Sequence, residues 1–229
     1  MKQIVSHSVL KKIMVILFLI VPVTLLFAQE KGALKPVKQV SQEIENVALA
    51  KELAGYGYAN ESALALINAA LIVIEESAAP LKVKSTERGG QAEEAEITLD
   101  AEKLLADAET FADGDKTLNS LIKSTRELTA ASRGRVGGPG YVIDKVGGEM
   151  ANIHAVEFTG GEAAEVAVVG SGNTDLDLYI FDESGNLIAM DEELGDECYV
   201  VWKPKWTGTF LLTVANRGSS TNEYALVTN

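Results

Sequence analysis

The side chains best suited to chemistry are the oxygen-bearing residues of one predicted strand and of the hairpin after it. In GSGNTDLDLYIFDESGN, residues 170–186, polar residues alternate with apolar ones. A strand turns successive side chains to opposite faces, so the polar ones share a face. Their oxygens suit Ca²⁺, which takes roughly six to eight oxygen ligands. We therefore predict a calcium site, with Glu192 nearby, made of Asn173, Asp175, Asp177, Asp191 and Asp196.

A second interpretation of this acidic cluster stays open. Its spacing lacks the D-x-D-x-D-G-x5-E pattern of a calcium-binding loop. A strand face that carries several carboxylates is also a common form of solvated surface. Calcium binding and a solvated acidic face therefore remain equal alternatives from the sequence.

The sequence offers little for catalysis. His154 is the only histidine after residue 28, and the strand alternation turns it inward. Neither G-x-S-x-G nor H-E-x-x-H occurs, so neither a nucleophile elbow nor a zinc-protease helix is predicted. We predict a protein that is not an enzyme. The alternative is a secreted hydrolase with an unrecognised active site.

The amino terminus predicts export. Residues 1–28 carry three lysines and then the apolar run IMVILFLIVPVTLLFA, which is typical of a signal peptide. The whole chain has a formal net charge of −13, and cleavage after Ala28 would bring it to −16. Such a charge disfavours nucleic acid as a partner. We predict a periplasmic or extracellular bacterial protein without a stable membrane span after cleavage, in which the single Cys198 is a buried, unreactive thiol.

Helical periodicity dominates the first half of the mature chain. After a flexible lead-in (29–40), residues 41–131 predict four helices, paired into two hairpins that form a four-helix bundle. The predicted N-caps are Ser41 for the first helix, Asn60 for the second, Thr98 or Asp100 for the third and Asp115 for the fourth. The charged stretch from Pro80 to about residue 97 is predicted to be a surface loop, and the Gly-rich segment 132–140 a linker.

The second half alternates with period two. Seven or eight short strands between residues 141 and 229 predict an all-β sandwich or jelly roll, and hence an α+β protein of two domains. Alternation turns the following side chains into the sandwich: Val156, Phe158, Val166, Val168, Leu176, Leu178, Ile180, Val200, Trp202, Phe210, Leu212, Val214, Tyr224 and Leu226. It turns Tyr199, Val201, Leu211 and Thr213 outward.

Two motifs in this half carry a family resemblance. D-x-D-L-Y at 175–179 and P-x-x-T-G-x-F at 204–210, before a valine-containing strand, are similar to those of bacterial pre-peptidase C-terminal domains. The resemblance implies a jelly-roll module appended to secreted hydrolases and related to the collagen-binding modules of clostridial collagenases, which bind calcium and matrix ligands. Those modules take calcium with carboxylates of an N-terminal linker and of the strand that corresponds to Asp175 and Asp177. The corresponding linker here offers only Asp144 and Glu149.

Together these features predict an exported, non-enzymatic protein in which the sandwich binds a ligand or stabilises a partner. The ligand is an unidentified protein or glycan, for which the outward Tyr179 and Tyr199 and the turn residue Trp206 could provide an aromatic surface. An envelope scaffold that binds another protein through its helical hairpins is a further alternative.

Overall fold

The structure is a computed structural model that describes residues 40–81, 85–88, 97–132, 138–172 and 174–229. The predicted signal peptide (1–28), residues 29–39 of the predicted lead-in and the predicted calcium ligand Asn173 lie outside the described residues.

Four helices are described, in the order that the periodicity predicts. They are α1 (Gln42–Ala59), α2 (Ala63–Glu75), α3 (Ala101–Phe111) and α4 (Lys116–Ser132). Two of the predicted caps form. The Asp100 carboxylate accepts a hydrogen bond from the Lys103 N–H at 2.8 Å, and the Asp115 carboxylate accepts from the N–H groups that open α4. Each carboxylate thereby satisfies a backbone donor that has no partner inside its helix.

The predicted caps of α1 and α2 need correction. Helix α1 continues to Ala59 instead of stopping at its glycines, so Asn60 ends that helix and its side chain donates to the Tyr56 carbonyl. The residue that caps α2 is Ser62, whose hydroxyl accepts from the Ala65 N–H. Ser41 stands at the start of α1 without a side-chain cap bond. Its N–H donates instead to Glu165 of the β-sandwich, at 2.6 Å.

In the described residues, ten strands form two five-stranded sheets. The strands are β1 (Ala79–Pro80), β2 (Ser85–Arg88), β3 (Gly140–Val146), β4 (Ala151–Phe158), β5 (Ala164–Val169), β6 (Leu176–Asp182), β7 (Leu187–Asp191), β8 (Glu197–Trp202), β9 (Gly208–Asn216) and β10 (Asn222–Thr228). Sheet 1 has the order β1-β3-β10-β5-β8, and sheet 2 has the order β2-β4-β9-β6-β7. All pairs are antiparallel except β1 with β3. The predicted surface loop therefore contains β2, an edge strand of sheet 2, and begins at β1, an edge strand of sheet 1.

The side chains between the sheets confirm the predicted alternation. All fourteen residues predicted to point inward belong to one buried apolar cluster. Trp202 is 8% exposed and packs edge-to-face on Phe158 and Phe210, with ring centroids 4.8 and 5.8 Å apart. Cys198 is fully buried in the same cluster, as predicted.

The helices do not form a bundle of their own; they cover sheet 1. Helix α1 packs on β5 and β10, α2 packs on α1, and α3 and α4 pack on α2. The apolar cluster beneath them combines helical residues with Tyr141, Ala167, Ala225 and Val227 of sheet 1. Tyr199 and Val201, predicted to point outward, also pack against this cluster. Their alternation is as predicted, but helices cover the face on which they lie.

The helical and β parts are linked more closely than the sequence predicts. Strands β1 and β2 precede the predicted linker and yet belong to the sandwich, and the described residues from Val40 onward fall in a single compact unit. Lys51 of α1, 2% exposed, donates to the carbonyls of Gly170 and Glu223 at 2.6 and 3.3 Å. The division into two domains predicts that each half folds by itself, whereas the shared core leads us to expect that the two halves unfold together.

Candidate functional site

The four described residues of the predicted calcium site lie on β6, on β7 and in the adjoining loops, and their charges act on the buried Cys198 thiol. Burial raises the pKa of Cys198, and four nearby carboxylates raise it further: Asp191, Asp177, Asp175 and Asp196. The Cys198 thiol donates to the Leu176 carbonyl at 3.1 Å. That these residues act together as ligands of one ion stays a prediction from the sequence.

Three of these carboxylates are bound by backbone N–H groups. Asp175 accepts from Gly195 at 2.9 Å, and Asp196 accepts from Gly172. Asp191, 1% exposed, accepts from Glu193 at 3.1 Å and from Tyr199 at 2.9 Å. The bond to Tyr199 occupies a donor of β8, which is an edge strand of sheet 1. These three aspartates therefore fix the loops between the sheets. Asp191 also occupies a backbone donor on the edge of β8.

The fourth carboxylate belongs to a different group, on the outer surface of sheet 2. Arg217 Nε donates to Asp177 Oδ2 at 2.5 Å, and Arg217 Nη2 donates to the Tyr179 hydroxyl at 2.7 Å. That hydroxyl lies 2.9 Å from Asp177 Oδ2 and 2.6 Å from Glu192 Oε1, so its one proton serves one of the two carboxylates at a time. The hydrogen bond to Asp177 raises the pKa of the Arg217 guanidinium. Burial and the two carboxylates raise the pKa of Tyr179, so both groups keep their protons.

The described residues of the predicted calcium site do not form a single group. Asp177 and Asp191 lie on opposite faces of sheet 2, because Asp177 pairs with outward Ala215 and Asp191 with inward Leu178. Asp177 already has the Arg217 cation as its counter-charge. In the part of the chain that the structure describes, no three His, Cys, Asp or Glu side chains form a group that could hold a metal ion. Calcium binding stays a prediction from the sequence.

The outer surface of sheet 2 is the larger feature to which Asp177 belongs. We call it the open face and define it by three rows of outward side chains that the strand register sets side by side. One row is Met190, Tyr179, Thr213 and Ile153; the next is Leu187, Phe181, Leu211 and Ala155; the third is Asp177, Ala215 and Ala151. Whereas helices cover sheet 1, none of these side chains belongs to either apolar cluster of the described residues.

A depression of about 450 Å³ lies at one end of the open face. Ala151 and Ala215, paired across β4 and β9, lie among Met150, Glu149 and Arg217 on its lining. Because alanines are small, the larger side chains around them stand above this part of the sheet. Volumes of about 300–1,000 Å³ are usual for small-molecule sites.

The turns beside this depression are held by backbone bonds. The N–H of Arg217 donates to the Asp175 carbonyl at 2.7 Å, and the N–H of Glu149 donates to the Gly218 carbonyl at 2.9 Å. Glu149 has a φ of +60°, a conformation that costs a non-glycine residue free energy. Arg217 is thus fixed through both its side chain and its backbone.

The predicted aromatic surface is divided by the fold. Tyr179 lies on the open face, with its ring 6.3 Å from that of Phe181 and inclined to it by 25°. Tyr199 lies on the opposite side of the sandwich, against the helices. Trp206, 44% exposed, stacks on Phe210 in the turn that precedes β9. Tyr179 and Phe181 are therefore the aromatic pair that one ligand would meet on the open face.

His154 is buried inside the sandwich, as predicted. It is 0% exposed, and its Nε2 lies 2.6 Å from the Tyr224 hydroxyl and 3.8 Å from Asp144 Oδ2. Its Nδ1 is buried without a hydrogen-bond partner among the described residues. Burial lowers the pKa of His154, although Asp144 opposes the shift. The histidine is thus held neutral, away from the surface.

Sequence reasoning missed Arg217 and the alanine pair. Arg217 follows the strand that ends in Ala215 and Asn216, and the sequence around it is typical of an ordinary turn. The sequence did contain one signal for Arg217, namely the acidic residues on one face of β6. A buried carboxylate on an outer face needs a cation nearby.

The protein defined by these features is an α+β chain whose β-sandwich is covered by helices on one side. Solved structures that are similar to part of this chain include the pre-peptidase C-terminal domain of collagenase from Bacillus anthracis (17% identity, 39% of this chain and 87% of that one, TM-score 0.33). They also include a periplasmic inhibitor of g-type lysozyme from Aeromonas hydrophila (13%, 40% and 84%, TM-score 0.33).

A carbohydrate-binding module of lichenase 5A from Cellvibrio mixtus, solved with cellotriose, is a further neighbour (8%, 38% and 76%, TM-score 0.28). No family model and no curated protein matches the chain. Of the described helices, none has the length and apolar content needed to cross a bilayer.

Proposed function

We propose that this chain is an exported, non-catalytic binding protein whose sandwich binds its ligand through the open face. One observation carries the proposal. Of the two outer surfaces of the sandwich, the described helices cover that of sheet 1, while sheet 2 presents apolar and aromatic side chains in register outside both apolar clusters. Contiguous apolar patches on a surface commonly mark binding sites.

The polar group at the end of the open face supports binding rather than turnover. Arg217 and Tyr179 keep their protons, and Asp177 is hydrogen-bonded to both. A general acid or base must exchange a proton near the working pH, which these two groups are not placed to do. Histidine titrates in that range in most proteins, but His154 is enclosed by the sandwich.

Export is the second part of the proposal and rests on residues 1–28, which lie outside the described residues. The acidic surface supports a soluble partner or a neutral matrix over nucleic acid or anionic lipid.

Retention of the purified exported protein on the envelope fraction of its source cells tests the binding face. Leu187→Asp places a charge on the open face, and Leu121→Asp is its matched control on α4. Leu187 and Leu121 are 49% and 41% exposed, so neither change should unfold the protein. We expect only Leu187→Asp to reduce retention. Equal retention of both variants and the wild type would argue against the open face.

A further inference from the structure

The open face combines a flat apolar strip with a fixed pair of opposite charges. Tyr179 and Phe181 lie side by side on β6, with ring centroids 6.3 Å apart and a small angle between the rings. Leu211 lies directly opposite Phe181 on the neighbouring strand. Together they form a shallow surface that fits a flat ligand face better than a protruding side chain.

The polar groups at the end of this strip are held rigidly. Arg217 is 56% exposed in its side chain, while Asp177, to which it is bonded, is 6% exposed. Two of the guanidinium nitrogens are used by Asp177 and Tyr179, and the guanidinium has further N–H donors. Glu149 lines the other part of the depression. A ligand in the depression therefore meets the fixed donors of Arg217 and the carboxylate of Glu149.

The charges select among ligand classes. A polyanion would meet the carboxylates of Asp177, Glu192 and Glu149 beside Arg217, on a chain of net charge −13. A cationic ligand would have to compete with Arg217 for Asp177. A neutral ligand that carries both donors and acceptors matches the paired charges without leaving either one unpaired. Sugar hydroxyls have this property, and the faces of pyranose rings pack on aromatic side chains.

A peptide fits the open face less well. An extended peptide gains affinity on a sheet by pairing with an edge strand. On the open face the central strands β9 and β6 are each paired on both sides, so their backbone groups are already used. Only side chains are available to the ligand here.

We propose that the open face binds a neutral polysaccharide, with sugar rings packed on Tyr179 and Phe181 and hydroxyls hydrogen-bonded to Arg217 and Glu149 in the alanine-floored depression. This inference rests on the proposed function of the open face and adds the chemical class of the ligand.

Binding of the purified exported protein to defined polysaccharides tests the class. The neutral probes are a β-glucan, xylan, chitin and starch; the acidic probe is pectate, and the protein probe is gelatin. Phe181→Ala removes one ring, and Arg217→Gln removes the fixed cation. Tyr179→Phe keeps the ring and removes the hydroxyl, and Leu121→Ala on α4 is the control. Thermal melts establish that each variant is folded.

We expect the wild type to bind at least one neutral polysaccharide. Phe181→Ala and Arg217→Gln should each weaken that binding about tenfold or more, Tyr179→Phe should weaken it less, and Leu121→Ala should leave it unchanged. Binding to pectate or gelatin alone would overturn the inference. A second result would also overturn the inference. In it, Leu187→Asp abolishes envelope retention, and treating the envelope fraction with protease, but not with glycosidases, removes the material that retains the protein. That result would keep the binding face and exclude the glycan, whereas unchanged retention by Leu187→Asp would contradict the proposed function itself.

Discussion

Acidification should destabilise this protein through a single buried histidine. His154 is fully buried, its Nε2 is 2.6 Å from the Tyr224 hydroxyl, and burial lowers its pKa from the ordinary value of about 6.5. Asp144 Oδ2, 3.8 Å from the same nitrogen, opposes the shift without cancelling it. The folded state therefore keeps His154 neutral at a pH where the unfolded chain has already protonated it.

The sign and the size of the effect follow from proton linkage. Because the unfolded state binds the extra proton, the free energy of unfolding falls as the pH falls below about 6.5. The contribution is complete above that pH and is lost progressively down to the lowered pKa of the folded state. Between these limits the slope approaches about 1.4 kcal/mol per pH unit. A typical domain has a stability of about 5–15 kcal/mol, so one pH unit is readily measured.

Urea unfolding of the mature protein between about pH 7 and pH 5 measures this slope, above the range in which ordinary carboxylates titrate. The control is His154→Gln, which keeps a neutral hydrogen-bonding side chain and removes the titration. His154 is the only histidine after residue 28, so the variant should lose most of the slope. An equal slope in both proteins would refute the argument that a neutral buried histidine sets the acid sensitivity.

Three further predictions concern the core, the layers and calcium. Trp202→Ala should reduce the free energy of unfolding by about 3–5 kcal/mol, since it empties a buried aromatic site; a change in the denaturation midpoint equivalent to under about 1 kcal/mol would contradict the packing described. Tryptophan fluorescence, which reports on the sandwich, and far-UV circular dichroism, which reports on the helices, should show one coincident unfolding transition because the layers share a core; separate transitions would support two domains. Millimolar calcium should leave the thermal midpoint unchanged, because Asp177 is already paired with Arg217. A rise that EDTA and the double variant Asp175→Asn, Asp177→Asn both abolish would instead confirm the calcium site predicted from the sequence, and would be about 2.7 kcal/mol at 100 times the dissociation constant.

The sandwich was predictable because its pattern is local. Strict alternation in segments such as 176–182 determines which side chains face the partner sheet, and every residue predicted to point inward lies in the buried cluster, which also includes the unpredicted Val146 and Ala164. Caps were predictable where the capping residue stands next to a clear change of pattern, as at Asp100 and Asp115. At the second helix the choice between Asn60 and Ser62 depended on how far α1 continues past its glycines, which helix propensity alone does not determine.

The arrangement of layers was not predictable, because it depends on contacts between distant segments. Strands β5 and β10 of sheet 1 carry apolar side chains on both faces, with Ala167, Ala225 and Val227 on the face toward the helices. This pattern is typical of a sheet covered on both sides. That signal was present, but it does not identify the covering element. The pairing of Arg217 with Asp177 joins residues forty positions apart, and only the fold brings them together.

The most direct test of the binding face is the affinity of the purified exported protein for its envelope fraction, with Leu187→Asp compared with the matched helix variant Leu121→Asp. We expect Leu187→Asp to weaken retention by about tenfold or more, as loss of a strong interface contact does, and Leu121→Asp to bind like the wild type. Weakened retention by Leu121→Asp together with unchanged retention by Leu187→Asp would contradict this expectation, and would place binding on the helical side of the molecule.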